Sequence, residues 1–115
     1  KKAIEAVDAQ IGRLIALAER YQGVLVVTAD HGNADDMWMR DGKGRPVIVD
    51  GVPQPKTSHT LSPVPFTILD TRHAAAWRLR DDLPQAGLAN IAATLFNLLG
   101  YEPPADYEPP VIAPA

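Results

Sequence analysis

The stretch Val24-Leu25-Val26-Val27-Thr28-Ala29-Asp30-His31-Gly32-Asn33 decides how this chain is read. Five of its first six residues are apolar, and they lead straight into an Asp-His pair. A continuous apolar run predicts a strand covered on both faces, as in a parallel sheet flanked by helices. In open α/β sheets the ligand site lies beyond the carboxyl ends of the strands, and Asp30 and His31 fall there. Gly32 follows and lets the backbone turn sharply. A carboxylate beside an imidazole suits Mn2+, Zn2+ or Fe better than Ca2+ or Mg2+. A second imidazole, His59, lies in the polar segment Lys56-Thr57-Ser58-His59-Thr60, just ahead of another apolar run.

On the N-terminal side, residues 3–21 predict an amphipathic helix. Ile4, Val7, Ile11, Leu14, Ala18 and Tyr21 follow the three- and four-residue spacing of one face, and Gly23 is placed to end it. On the C-terminal side, residues 34–63 read as a long irregular segment. Asp41-Gly42 and Lys43-Gly44 are turn signals within it, and Val47-Ile48-Val49 is β-prone, so a small hairpin is expected there. Loops of this length in a compact domain are usually functional or disordered. Residues 64–70 predict a second strand, with Pro65 near its start, where a missing N–H is tolerated. Residues 71–87 read as polar loop. Residues 88–99 predict a second helix stopped by Gly100. The tail from Tyr101 carries five of the eleven prolines and reads as extended surface chain.

Composition narrows the class. The chain has 115 residues, enough for one domain at most. With 46% hydrophobic and 22% charged residues, the balance is that of a globular protein. The net charge of −3 and the lack of a basic block argue against nucleic acid or an anionic membrane as partner. The absence of cysteine excludes a disulfide scaffold or cysteine metal site and fits a reducing cytoplasm. No apolar stretch approaches the roughly 20 residues of a membrane helix. One convincing further strand and two helices cannot cover a central strand by themselves. They would leave sheet edge and apolar surface exposed. The chain is therefore expected to be the C-terminal segment of a larger α/β enzyme.

The motifs Thr28-Ala-Asp-His-Gly-Asn-Ala34, Lys56-Thr-Ser-His-Thr60 and Pro63-Val-Pro65 resemble the C-terminal part of the cofactor-independent phosphoglycerate mutases, in the alkaline phosphatase superfamily. Glu5-Ala-Val-Asp8, Gly12-Arg13, Arg78-Leu-Arg-Asp-Asp-Leu-Pro84 and Gly87-Leu-Ala-Asn-Ile-Ala-Ala-Thr94 extend the likeness over nearly the whole chain. The resemblance implies part of a three-layer α/β/α alkaline-phosphatase-like sandwich, incomplete in this chain. Residues 1–115 would be the C-terminal segment of its metal-binding domain.

The implied activity is interconversion of 3-phosphoglycerate and 2-phosphoglycerate through a phosphoserine intermediate, in glycolysis and gluconeogenesis. Two divalent ions, commonly Mn2+, would serve it, in a cytoplasmic and monomeric full-length protein. Asp30 and His31 would ligate the ion that activates the serine, and His59 the other. The serine nucleophile, the remaining ligands and the substrate-clamping residues would lie upstream, so no catalytic residue is expected in this segment. Ser62 stands where the family usually has Asn. Two alternatives remain open: a phosphopentomutase or metal-dependent phosphatase of the same superfamily, and a truncated, non-catalytic metal-binding or interaction remnant.

Other polar residues have plainer readings. His73 is expected to be a surface histidine, and Asp35 and Asp36 solvated loop carboxylates. Asn33 is expected to shape a turn through left-handed geometry. Lys56 is expected to be an exposed loop cation. Asp8, just off the helix stripe, has a solvated face as its default, and its agreement with the family pattern implies a structural role such as a buried hydrogen bond.

Overall fold

The computed structural model describes residues 1–72 and 77–115. His73 lies outside the described residues. The order of elements is α1 (Lys2–Tyr21), β1 (Val24–Thr28), β2 (Ile48–Val49), β3 (Val52–Pro53), β4 (Phe66–Asp70), β5 (Trp77–Leu79), a 3-10 turn (Leu88–Asn90), α2 (Ile91–Leu98) and β6 (Ile112–Pro114). Two compact units share the chain. One comprises Lys1–Val26 with Ile68–Ala115, the other Val27–Thr67.

In the first unit, α1 matches the expected helix, but its stripe differs. Ile4, Val7, Leu14 and Tyr21 are exposed, Tyr21 by 70%. Ile11, Ile15 and Ala18 are the half-buried face. Asp8 is exposed, so no buried hydrogen bond forms there. The left-handed residue that ends the helix is Gln22, at φ 49°, rather than Gly23. Gly23 instead donates its N–H to the Ala18 carbonyl and accepts from Thr71.

Buried Thr71 closes this corner. Its Oγ1 donates to the carbonyls of Ala18 and Gly23, both at 2.8 Å, and its N–H to Gly23 at 3.1 Å. Thr71 follows β4 and Gly23 precedes β1, so these paired strands run antiparallel. The doubly covered parallel strand predicted from the apolar run is not what this segment contains. β1 is half-buried and, among the described residues, pairs with antiparallel β4 alone.

The polar loop expected over 71–87 contains a strand. β5 pairs antiparallel with β6 in the proline-rich tail, Trp77 opposite Pro114 and Leu79 opposite Ile112. Ile112 is 3% exposed and joins Ala93 and Leu98 of α2 in a small core. The tail is thus docked at its end, over residues 111–113, whereas residues 101–109 are mostly exposed, as expected of surface chain. Asn90 and Thr94 fasten it. Asn90 Nδ2 donates to the Pro109 carbonyl at 2.8 Å, and Thr94 Oγ1 accepts from Val111 N–H at 3.0 Å. These two side chains thereby satisfy a carbonyl and an N–H of the tail's main chain. Gly100, at φ 85°, stops α2 as expected.

The second unit carries the hairpin. β2 and β3 pair with Val49 opposite Val52 around Asp50-Gly51, whose φ values are 49° and 77°. Two consecutive positive φ angles define a type I′ turn, which suits the right-handed twist of paired strands. Single bridges of Trp38 with Pro55 and Arg40 with Pro46 extend the ribbon.

Candidate metal centre

Asp30, His31 and His59 all lie in the second unit, on the two segments that flank the hairpin. What joins the segments is an isolated antiparallel bridge between Gly32 and Thr60. Gly32 N–H donates to the Thr60 carbonyl at 3.2 Å, and Thr60 N–H returns to Gly32 at 2.8 Å. The residues just before the two bridge partners are His31 and His59. Their imidazoles stack, with centroids 3.5 Å apart and planes 26° from parallel. Gly32 is needed here for space rather than for a sharp turn. Its φ is not positive, but a Cβ on it would overlap Thr60 Oγ1 and lie 2.7 Å from Asp35 Oδ1.

His31 Nδ1 lies 3.1 Å from the Gly32 carbonyl. If that nitrogen carries the proton, Nε2 keeps its lone pair, the tautomer that a metal-binding imidazole needs. Asp30 Oδ1 lies 3.4 Å from His31 Nε2, so a carboxylate and an imidazole donor face the same space. Asp30 and His59 are exposed and His31 half-buried. Among the described residues, no three His, Cys, Asp or Glu side chains converge on one point. The donor types fit a first-row divalent ion, with an Asp-His pair on one side and a single His on the other.

The acidic pair behind the turn is not simply solvated. Asp35 receives Thr60 Oγ1 on both carboxylate oxygens, at 3.0 and 2.9 Å. Hydroxyl donation from Ser62 first, then Thr60, holds its carboxyl below the ordinary range. Asp36 accepts from Lys56 Nζ at 2.9 Å and Arg40 Nε at 3.2 Å. The hydrogen bond from Lys56, opposed by partial desolvation, lowers its carboxyl too. Lys56 is therefore a paired cation with a side chain 26% exposed, not a free one. Asn33 supplies a carbonyl to Asp36 N–H at 3.4 Å without left-handed geometry. The one sequence signal for these contacts was two adjacent carboxylates three residues after the Asp-His-Gly turn.

A family model described as the metalloenzyme superfamily matches residues 1–103, and the chain belongs to that superfamily. Within it, the chain is 50% identical over 111 residues to a 2,3-bisphosphoglycerate-independent phosphoglycerate mutase of Trypanosoma brucei brucei, covering 96% of this chain and 20% of that one. It is 48% identical over 111 residues to the mutase of the same name from Mesembryanthemum crystallinum, with the same coverage. A crystal structure of Leishmania mexicana phosphoglycerate mutase at low cobalt concentration superposes with a TM-score of 0.91 at 49% identity, over 99% of this chain and 21% of that one. The chain thus spans about one fifth of the length of these relatives. Its elements are part of an alkaline-phosphatase-like α/β fold. Among the described residues, no helix is long and apolar enough to cross a membrane.

Proposed function

We propose that residues 1–115 are the C-terminal segment of the metal-binding domain of a cofactor-independent phosphoglycerate mutase. The full protein would interconvert 3-phosphoglycerate and 2-phosphoglycerate through a phosphoserine, as a cytoplasmic, monomeric enzyme of glycolysis and gluconeogenesis. The observation that carries this reading is the Gly32–Thr60 bridge. It gathers Asp30, His31 and His59, in a chain about half identical to such mutases over 96% of its length.

Asp30 and His31 would hold one divalent ion and His59 a second, each set completed by donors from elsewhere in the full protein. Mn2+ is the ion proposed, and the cobalt named for the Leishmania mexicana structure is, like manganese, a first-row transition metal. Bound there, the ions would lower the pKa of the serine hydroxyl and stabilise the attacking and leaving oxygens. The contribution of this chain is placement. Asp30 brings negative charge beside His31, its Oδ1 3.4 Å from Nε2. His31 offers Nε2 while Nδ1 is engaged by the Gly32 carbonyl. His59 is held one ring-width away.

The test is to express the full-length protein carrying this segment and to follow 2-phosphoglycerate formation without added 2,3-bisphosphoglycerate. Turnover that is abolished by a chelator and restored by Mn2+ is expected, with a phosphorylated serine trapped on rapid quenching. A protein that instead isomerises pentose phosphates, or only releases phosphate, would overturn the assignment. So would mutase turnover above about 1 per second by the 115-residue chain alone.

A further inference from the structure

We propose that the adjacent carboxylates of Asp35 and Asp36 are positioning residues, gripping the two ends of segment 56–60 so that His59 stays face to face with His31. This rests on the metal-binding reading above. At one end, Asp35 takes Thr60 Oγ1 on both oxygens, at 3.0 and 2.9 Å. At the other, Asp36 takes Lys56 Nζ at 2.9 Å, beside the main-chain bond from Lys56 N–H to the Met37 carbonyl at 2.8 Å. Between these anchors the segment carries His59, whose exposed ring contacts His31.

The need for such a grip follows from the geometry. The main chain ties the segment only at its two ends, by the Gly32–Thr60 bridge and the Lys56 N–H bond to the Met37 carbonyl, and a segment held at two points can rotate about the line between them. The Asp35–Thr60 bond attaches it off that axis, and the Asp36–Lys56 pair attaches it four residues away. Three separated attachments fix an orientation. Both aspartates sit on one turn, so the device that orients His59 is part of the loop that follows Asp30 and His31. A displacement of one donor therefore moves the other with it, and the spacing between the two sets is kept. Groups that orient metal ligands from behind in this way typically change metal affinity or activity by about 10–100-fold when removed.

The experiment uses the full-length protein and Mn2+ as probe, with affinity measured by competition against a chromophoric chelator and with kcat and KM determined separately. Asp35→Ala, Asp36→Ala and Thr60→Val are each expected to weaken Mn2+ binding by about tenfold or more and to lower kcat. Thr60→Ser keeps the hydroxyl and is expected to bind Mn2+ as the wild type does, which a purely space-filling role for Thr60 would not produce. Asp35 is exposed, so its truncation leaves no buried void, and circular dichroism should show an unchanged fold. Should Thr60→Val unfold, Asp35→Ala removes the same bond from the other side. Wild-type Mn2+ affinity in both Asp35→Ala and Asp36→Ala overturns this inference alone. A wild-type protein that binds no Mn2+ overturns the metal reading beneath it.

Discussion

Gly32→Ala tests the bridge that gathers the site. The new Cβ would overlap Thr60 Oγ1 and sit 2.7 Å from Asp35 Oδ1. Favourable heavy-atom contacts lie at roughly 3.5–4.0 Å, so the Asp35 contact alone is short by nearly 1 Å and the Thr60 contact by more. Asp35 can swing away, since it is exposed. Thr60 Oγ1 can leave only by turning about χ1, which breaks its bonds to Asp35, at 3.0 and 2.9 Å. Relief therefore costs the Asp35–Thr60 contact or strains the bridge between the two segments.

Overpacking of this kind costs about 1–3 kcal/mol, and each main-chain bond lost adds about 0.5–1.5 kcal/mol. The expected destabilisation of the full-length protein is thus roughly 2–6 kcal/mol. A shift of about 1 Å between His31 and His59 should lower turnover by about 100-fold. Gly42→Ala is the control: no atom lies within 4 Å of its Cβ position and its φ is not positive. Adding Thr60→Ala to Gly32→Ala removes the worst overlap and should restore part of the stability but not the turnover. Urea unfolding and turnover of the four proteins decide the matter. A Gly32→Ala protein with wild-type stability, Mn2+ content and rate would refute the reasoning.

In the full-length protein, His59→Ala should leave the fold intact, reduce bound metal from two ions to about one, and lower turnover by at least ~100-fold; elemental analysis and rate assays check this. Asp30→Ala should abolish activity at least as completely, and an Asp30→Ala protein with normal turnover would remove Asp30 from the site. Arg80 donates to both carboxylate oxygens of Asp82, at 2.9 and 2.7 Å, and pulls that carboxyl from 3.8 down to about 2. The depressed value means that this pair contributes stability fully above pH 3.8 and loses it as pH falls toward 2. Carboxyl-carbon NMR should place the Asp82 midpoint near 2, and Arg80→Met should return it to the ordinary range. Gln22→Gly should stabilise the protein by up to about 1 kcal/mol in thermal melts, because glycine occupies φ 49° without the Cβ penalty.

Which parts were legible in the sequence follows from which forces are local. The Asp30-His31-Gly32 triplet stood out because an acid, an imidazole and a glycine are neighbours at the end of an apolar run, although the glycine's role there is space and not a sharp turn. Helix α1 was visible from its 3.6-residue period, but its less exposed face, Ile11, Ile15 and Ala18, was not, because several apolar stripes compete on one helix. The turn signals at Asp41-Gly42 and Lys43-Gly44 hold, since a turn closed by the Arg40–Pro46 bridge forms there, whereas the further reversal at Asp50-Gly51, between β2 and β3, was passed over. The β5–β6 pair was hidden for a different reason. Trp77 and Pro114 are far apart in sequence, each strand is three residues long, and proline content argued for unpaired chain.

The site shows the same division. Candidate donors can be picked out locally, as an Asp-His pair and a second His, whereas the mutual placement of these side chains depends on a main-chain bridge between residues 32 and 60 and on a hydroxyl reaching a carboxylate 25 positions away. Backbone bridges leave no side-chain signature, and a threonine or aspartate looks the same in sequence whether it is solvated or clamped. The arrangement nonetheless constrains the sequence at one point. Because Thr60 and Asp35 meet over Gly32, position 32 has no room for any side chain. The glycine that reads as a turn residue is there because two chains and a hydrogen bond cross above it.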